Sequence, residues 1–225
     1  MKRTTFFITG TDTGVGKTVL TALLARHLRE RGVNAAALKP VCSGGCGDAR
    51  ALRAAMNAVL TSDEINPWHF RAPLAPLLAA RRERKRVTPA DVLAPVRAMQ
   101  KRFDVLLVEG AGGLLSPLGG NFNSRALIAA LRATPMVVCP NRLGAVNQVL
   151  LTLAALPRSA SCRARVVLMS PSKPDASTNT NAGLLAEFFD AKRIFELPWL
   201  GKRFDAEKIL KDSRVRRILC ALTKA

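Results

Sequence analysis

Short runs of apolar and β-branched residues alternate along the chain with longer segments in which apolar residues recur every three or four positions. The short runs predict strands, and because most are nearly continuously apolar they are typical of strands covered on both faces; these runs are 4–9, 35–40, 104–110, 135–140, 164–170 and 193–198. The longer segments predict helices at 17–31, 89–100, 124–133, 146–156, 178–190 and 206–221. The alternation predicts an α/β fold, with a doubly wound, mostly parallel sheet and helices on both of its faces.

The length and composition predict one domain over residues 1–225. The chain shows no internal repeat and no Gly-, Ser- or Pro-rich linker, and 48% of its residues are hydrophobic. No apolar run approaches the 18 or so residues of a membrane span, and the apolar run at 4–9 is too short for an export signal. We therefore predict a cytosolic protein. Its five cysteines form an odd set without metal-finger spacing, which favours reduced thiols.

The chain is strongly basic, with 35 Lys and Arg against 16 Asp and Glu and a net charge of +19. Such an excess can indicate a nucleic-acid or membrane-surface partner. Here the basic residues are spread along the chain without interleaved aromatic residues, and there is no tyrosine. We therefore interpret the charge as a solvated exterior and predict no specific nucleic-acid partner and no membrane partner.

Residues 8–18, ITGTDTGVGKT, combine glycines with a Lys-Thr pair directly between a predicted strand and a predicted helix. Glycines allow backbone N–H groups to converge on phosphate oxygens, and a helix N-terminus favours negative charge. In such a loop Lys17 would reach the β- and γ-phosphates and the Thr18 hydroxyl would ligate Mg²⁺. The spacing is unusual, because Thr11 holds the place of the first glycine. A glycine turn that only caps a helix would not require Lys-Thr at that point.

The stretched loop resembles that of the dethiobiotin synthetases, and further motifs in the same order extend the resemblance over most of the chain. These motifs are GTDTGVGKT (10–18), LKPVCSG (38–44), GDARAL (47–52), NPWHF (66–70), APLAPLLAA (72–80), VEGAGGLLSPL (108–118), RLGAVNQVLLT (142–152) and LPWLG (197–201). The resemblance implies a P-loop NTPase fold. It also implies an ATP- and Mg²⁺-dependent ligase that converts 7,8-diaminononanoate and CO₂ into dethiobiotin, a biotin precursor.

The resemblance also implies roles for particular residues. Lys17, Lys39 and Thr13 are the expected catalytic residues, and Thr18, Asp48 and Glu109 the expected Mg²⁺ ligands. The expected nucleotide-binding residues are Gly14, Val15, Gly16, Lys17, Thr18, Val19, Asp48, Glu109, Gly110, Ala111, Gly112, Pro198, Trp199 and Leu200. The expected substrate residues are Ser43, Leu143, Gly144 and Asn147. The last three match a segment that reaches across the interface of the family's homodimer.

Simpler interpretations compete for several of these positions. Lys39 could be a surface lysine, Glu109 could solvate a loop, and Asp48 could cap a helix. However, Lys39 and Glu109 both follow predicted strands, and ligands of open α/β sheets bind at the carboxyl ends of strands. We therefore favour a role in the site for both residues.

Two other classes of P-loop protein fit part of the pattern. An amide-forming ligase of the cobyrinate type usually carries a glutaminase domain, for which 225 residues leave no room. A partitioning or positioning ATPase that binds DNA or membrane would suit the charge, but such switches typically carry a second lysine early in the loop. Here Thr11, Asp12 and Thr13 occupy that region.

The segment expected to contact the nucleotide base departs from the family pattern. Ser170 and Pro171 stand where an asparagine that reads adenine is common, and neither offers a paired amide donor and acceptor. Asn179 or Asn181 could replace the missing amide. The sequence predicts relaxed selection among nucleotide bases.

Overall fold

The structure is a computed structural model and describes residues 3–224. Its strands are β1 (Thr4–Gly10), β2 (Ala35–Leu38), β3 (Val41–Ser43), β4 (Trp68–Phe70), β5 (Val105–Glu109), β6 (Thr134–Pro140), β7 (Arg165–Met169) and β8 (Ile194–Leu197). Its α-helices are α1 (Lys17–Glu30), α2 (Gly47–Ala55), α3 (Ser62–Ile65), α4 (Pro76–Arg82), α5 (Pro89–Arg102), α6 (Ser124–Leu131), α7 (Ala145–Ala154), α8 (Arg158–Ser161), α9 (Asn181–Ala186), α10 (Ala206–Ile209) and α11 (Ser213–Thr223). A 3-10 turn spans Ala191–Arg193.

Six strands form one parallel sheet in the order β2-β5-β1-β6-β7-β8. Helices connect successive strands, because parallel strands need a crossover between them. The predicted α/β fold with a doubly wound sheet is confirmed, and each of the six predicted strands lies in this sheet.

The core lies on both faces of the central strands. In β1, Phe6, Phe7 and Ile8 are buried, with 2%, 0% and 0% of their surfaces exposed. Leu20, Leu23 and Leu24 of α1 are also buried, with Leu23 and Leu24 three and four residues after Leu20. The continuous apolar run of β1 and the apolar stripe of α1 thus have the same explanation, because both are buried in the core between the sheet and the helix.

Several elements differ from the sequence prediction. The helix predicted at 178–190 is confined to α9, and the helix predicted at 206–221 is divided into α10 and α11. The division occurs because the Asp212 side chain accepts a hydrogen bond from the Arg214 amide and caps a new helix. The small parallel sheet of β3 and β4 was not predicted, since three-residue strands are too short to show a period.

The carboxyl ends of the central strands bring the predicted site together. Ile8 of β1 lies opposite Glu109 of β5, and β2 ends one residue before Lys39. Pro40 lacks an N–H, so the β2 ladder does not continue through it, and the chain then enters β3. Lys39 and Glu109 therefore leave the sheet at one edge, where α1 begins.

Two further findings concern predictions from composition. All five cysteines are free thiols. Over residues 3–224, no helix has both the length and the apolar content needed to cross a bilayer.

Candidate active site

The loop between β1 and α1 turns on two glycines in the left-handed region. Gly14 has φ of 72° and Gly16 has φ of 101°, a conformation that strains residues with a side chain. Gly16 precedes the first turn of α1 without any side-chain cap. Among the described residues, the backbone amides of 14–19 have no hydrogen-bond acceptor. These free amides at a helix N-terminus are suited to binding an anion.

Lys17 folds back over this loop. Its Nζ donates a 2.7 Å hydrogen bond to the carbonyl oxygen of Asp12, and only 6% of the residue is exposed. Burial and the neighbouring charge of Lys39 lower the pKa of Lys17 to about 8. The nearby carboxylates raise the pKa of Lys17 by less than burial and Lys39 lower it. An anion bound in the loop would therefore favour the protonated, positively charged form of Lys17.

Lys39 lies at the centre of a charged cluster. Its Nζ donates to Glu109 Oε1 at 2.8 Å and also pairs with a carboxylate oxygen of Asp48. The Thr18 hydroxyl donates to the same Glu109 oxygen at 2.7 Å. The Lys39 backbone is held by hydrogen bonds from its amide to Ile65 and from the Asn66 side chain to its carbonyl. The cluster thus joins side chains from the ends of two strands and the starts of two helices.

The two carboxylates keep Lys39 protonated. Burial by itself lowers the pKa of a lysine, and here it is the largest single influence. The combined attraction of Glu109 and Asp48 outweighs burial, so the pKa of Lys39 is raised above its ordinary value. Lys39 therefore carries a full positive charge at any pH near neutrality.

One carboxylate oxygen of Glu109 is left without a hydrogen bond in the described part of the chain. The residue is 1% exposed, and its Oε2 atom is buried without a hydrogen-bond partner among residues 3–224. Such an atom is costly unless it binds something. With the Thr18 hydroxyl and Asp48 nearby, the donor set is all oxygen, which is the chemistry that Mg²⁺ prefers. These residues fit a magnesium ion.

One cavity of about 690 Å³ collects most of the predicted site. The predicted residues that line it are Thr13, Gly14, Gly16, Lys17, Thr18, Val19, Lys39, Ser43, Asp48, Glu109, Ala111 and Gly112. Val15 and the segment 198–200 instead line a second cavity of about 340 Å³ that shares Gly14, Gly16 and Val19 with the first. The two cavities thus meet at the loop.

Four predicted residues lie outside these cavities. Leu143 is 82% exposed, and Gly144 and Asn147 are also exposed, at the start of α7. Gly110 lies beneath the site, where an added Cβ would come within 2.7 Å of Ser124 Oγ. Gly110 thus allows the strand end to pack closely against α6, and the other three residues lie on the surface of the chain.

One wall of the larger cavity was not predicted from the sequence. Residues 73–76 and Ser116 line it, and the Ser43 hydroxyl donates to the Leu74 carbonyl at 2.5 Å. Both segments lie within motifs that carried the resemblance, APLAP and LLSPL. The motifs were a usable signal, but only the fold shows that these two segments face the loop.

The chain is similar to known proteins over most of its length. A family model described as an AAA domain matches residues 4–205. A protein of Akkermansia muciniphila named ATP-dependent dethiobiotin synthetase BioD is 39% identical over 193 residues, covering 85% of this chain and 91% of that protein. Its namesake in Anaeromyxobacter dehalogenans is 40% identical over 198 residues, covering 86% and 89%. The chain belongs to the dethiobiotin synthetase family.

Membership of the dethiobiotin synthetase family confirms the resemblance that the sequence motifs indicated. The chain also matches a solved structure of pNOB8 ParA bound to nonspecific DNA, with a TM-score of 0.55 and 14% identity, covering 98% of this chain and 97% of that one. FtsY from Elizabethkingia anophelis matches with a TM-score of 0.50 and 15% identity, covering 99% and 66%. At these identities the two structures show a shared fold only.

The smaller cavity contains the residues that the family resemblance places near the nucleotide base. Ser170 and Pro171 line it together with the segment 198–200, and no carboxamide side chain lies among its described lining residues. Asn181 cannot supply one in this arrangement, because its amide donates to Asn141 Oδ1 at 2.9 Å inside the protein. Asn179 is exposed and does not line this cavity.

Proposed function

We propose that the protein catalyses the ATP-dependent carboxylation and ring closure of 7,8-diaminononanoate with CO₂, which yields dethiobiotin, ADP and phosphate. The observation that carries the proposal is the pair of buried lysines, Lys17 and Lys39, beside a free phosphate loop. Relatives about 40% identical over most of the chain are named for this synthesis.

The two lysines fit the electrostatic demand of the reaction. A carbamate formed on one amine attacks the γ-phosphate of ATP, and the second amine then displaces phosphate from the mixed anhydride to close the ring. Anions must approach each other in the first step, so fixed positive charge lowers its barrier. Lys17 would bind the transferring phosphoryl group, and Lys39, which lines the same cavity, would hold the carbamate. The chemistry needs no protein nucleophile.

We propose that Thr18, Asp48 and Glu109 hold Mg²⁺. The orphaned Oε2 of Glu109 supports this assignment, as does the convergence of Asp48 and Glu109 on one cation, the Lys39 ammonium. When bound, the ion would neutralise phosphate oxygens that the lysines do not reach. The same carboxylates orient Lys39 and keep it protonated.

The diamino acid is proposed to bind between two copies of the chain. Thr13 and Ser43, two residues with hydroxyl groups, line the larger cavity. Leu143, Gly144 and Asn147 are exposed in one chain, so they would complete the substrate site of a partner copy. Exposed Leu143 and Leu151, at 82% and 63%, suit burial in such an interface. The working unit is then a homodimer acting on small molecules in the cytosol.

The proposal is tested by incubating the purified protein with 7,8-diaminononanoate, ATP, Mg²⁺ and ¹³C-bicarbonate. Dethiobiotin carrying the label should accumulate together with ADP and phosphate, as read by mass spectrometry. Lys17→Ala serves as the inactive control. ATP hydrolysis that continues without any labelled dethiobiotin would contradict the proposal and favour an ATPase switch.

A further inference from the structure

A third large cavity lies at the far end of α1 from the phosphate loop. It has a volume of about 810 Å³ and lies between the last turn of α1 and the face of α11. The 14 residues of α1 make a helix about 21 Å long. The cavity is therefore separate from the site proposed for catalysis.

The charged lining of this cavity is almost entirely basic. Four cationic side chains line it: Arg31, Arg216, Arg217 and Lys224. None of them forms an ion pair with another residue in the range 3–224. Glu30 is the one acid in the lining, and Arg26, outside the cavity, already pairs with it at 2.5 Å. The cavity thus has an excess of positive charge that the described part of the protein does not neutralise.

The pKa of His27, which lines the cavity, is affected by this positive charge. Only 3% of the residue is exposed. Burial, followed by the charges of Arg31 and Arg216, lowers the pKa of His27, and Glu30 offsets this only in part. Because Arg31 belongs to the end of α1 and Arg216 to α11, their charges converge from two helices.

A purely structural explanation accounts for only part of the cluster. A cation at a helix C-terminus is stabilised by the helix dipole, which explains Arg31 directly after α1. Arg216 and Arg217 lie in the first half of α11, where the dipole gives no such benefit. The Arg31 guanidinium has a single side-chain partner among the described residues, the Cys220 sulfur at 3.1 Å. Its remaining donors are free to bind a ligand.

We propose that this cavity binds a small polyanion carrying two or more phosphate groups, held by Arg31, Arg216 and Arg217. A guanidinium group can donate two parallel hydrogen bonds to the oxygens of one phosphate. Three guanidinium groups around one cavity can therefore bind more than one phosphate group. The volume falls within the range of small-molecule sites, and a recess between two helices suits a small ligand better than a duplex. This site goes beyond the proposed reaction and does not depend on it.

Cys220 provides a local reporter of occupancy. Its sulfur lies 3.3 Å from His27 Nε2 and 3.1 Å from Arg31 Nη1, in the lining of the cavity. Alkylation with iodoacetamide is followed by peptide mass mapping, with and without inorganic tripolyphosphate in metal-free buffer. We expect tripolyphosphate to slow labelling of Cys220 at least tenfold and to leave the exposed Cys162 unchanged.

Paired variants show where the probe binds. Arg216→Gln with Arg217→Gln should abolish protection of Cys220, measured as a ratio within each variant. Arg81→Gln with Arg82→Gln removes the same charge from the exposed end of α4 and should leave protection intact. All four positions are exposed, so neither pair of changes disturbs the core.

Three results would overturn the inference. The first is no protection of Cys220 by tripolyphosphate. The second is protection that survives in the Arg216/Arg217 variant, because the probe would then act from the phosphate loop. The third is protection by a 20-base-pair DNA duplex but not by tripolyphosphate, because the surface would then bind nucleic acid.

Discussion

The cavity beside Lys39 and the cavity beside Trp199 share two glycines of the phosphate loop and one residue of α1, but different chemistry lines them. In the first, Lys39 and Glu109 are 5% and 1% exposed and hydrogen-bond at 2.8 Å. In the second, Trp199 is 49% exposed, and most of its neighbours are apolar side chains or glycine. One region holds charges in fixed positions, and the other offers mainly apolar contact.

This difference indicates where the protein should tolerate change. Buried charges depend on each partner, because removal of one leaves the other desolvated and unpaired. Apolar contact is non-directional and discriminates weakly between molecules of similar shape. We therefore expect the chemistry to respond strongly to single substitutions at the first cavity and the choice of base to be loose at the second.

The largest effect is expected from Lys39→Ala. Loss of a fixed charge beside the reacting anions should lower kcat at least a hundredfold, or about 3 kcal/mol, and Lys17→Ala should act similarly. Steady-state rates test this, with the exposed Lys101→Ala as a control. Thermal unfolding of Lys39→Ala should also show a lower Tm, because Glu109 loses its partner. Near-normal turnover by Lys39→Ala would show that the cluster is structural only.

The next largest effect concerns the metal. Glu109→Gln keeps the shape of the side chain but removes its charge and one metal-binding oxygen. The Mg²⁺ concentration for half-maximal activity should rise at least tenfold, about 1.4 kcal/mol. Asp48→Asn should give a smaller rise, because the Asp48 side chain is 39% exposed against 0% for Glu109. An unchanged Mg²⁺ requirement in both variants would remove these residues from the metal site.

Substitution at the proposed dimer surface should affect substrate binding more than the rate of the chemical step. Asn147→Ala should mainly raise the KM for the diamino acid, by about tenfold, with kcat little changed. Light scattering should give a mass of twice 24.2 kDa. Gln148→Ala, at the neighbouring exposed position of α7, is the matched control. An active monomer would exclude a substrate site shared between copies.

Base selection should show a small effect. With Ser170 and Pro171 in place of an amide, CTP and GTP should support turnover within about tenfold of ATP, a gap near 1.4 kcal/mol. Values of kcat/KM for the three nucleotides test the contrast between the cavities directly. A preference for ATP well above a hundredfold would mean that backbone groups of the second cavity read the base.

The smallest effect is expected for DNA. If the net charge of +19 reflects a solvated exterior, duplex DNA should bind only weakly at physiological salt, with affinity that falls steeply as salt rises. Fluorescence anisotropy across a salt series, with and without ATP, measures this. Tight binding that requires ATP would reverse our interpretation of the basic surface.

Much of the first cavity was predictable from sequence because several of its residues directly follow a glycine turn or a predicted strand. Lys17 and Thr18 follow a glycine turn, and Lys39 and Glu109 follow apolar runs. In a parallel sheet, strand ends of this kind converge on one edge whatever the loops do. The Asp48 contact was less predictable, since α2 was not among the predicted helices and its start depends on the path of the preceding loop.

By itself, the sequence determined the strand and helix alternation, the phosphate loop and the family, because these depend on local periodicity and on contiguous motifs. Tertiary structure alone decided that Lys39 pairs with both carboxylates, that Glu109 keeps a spare buried oxygen, and that Asn181 is held inside by Asn141. It also brought the end of α1 against α11 to form a basic cavity from residues nearly 190 positions apart, such as Arg31 and Cys220. Contacts of this kind depend on how helices and strands pack against each other. Packing brings together residues that are far apart in the sequence, so the sequence pattern does not reveal these contacts.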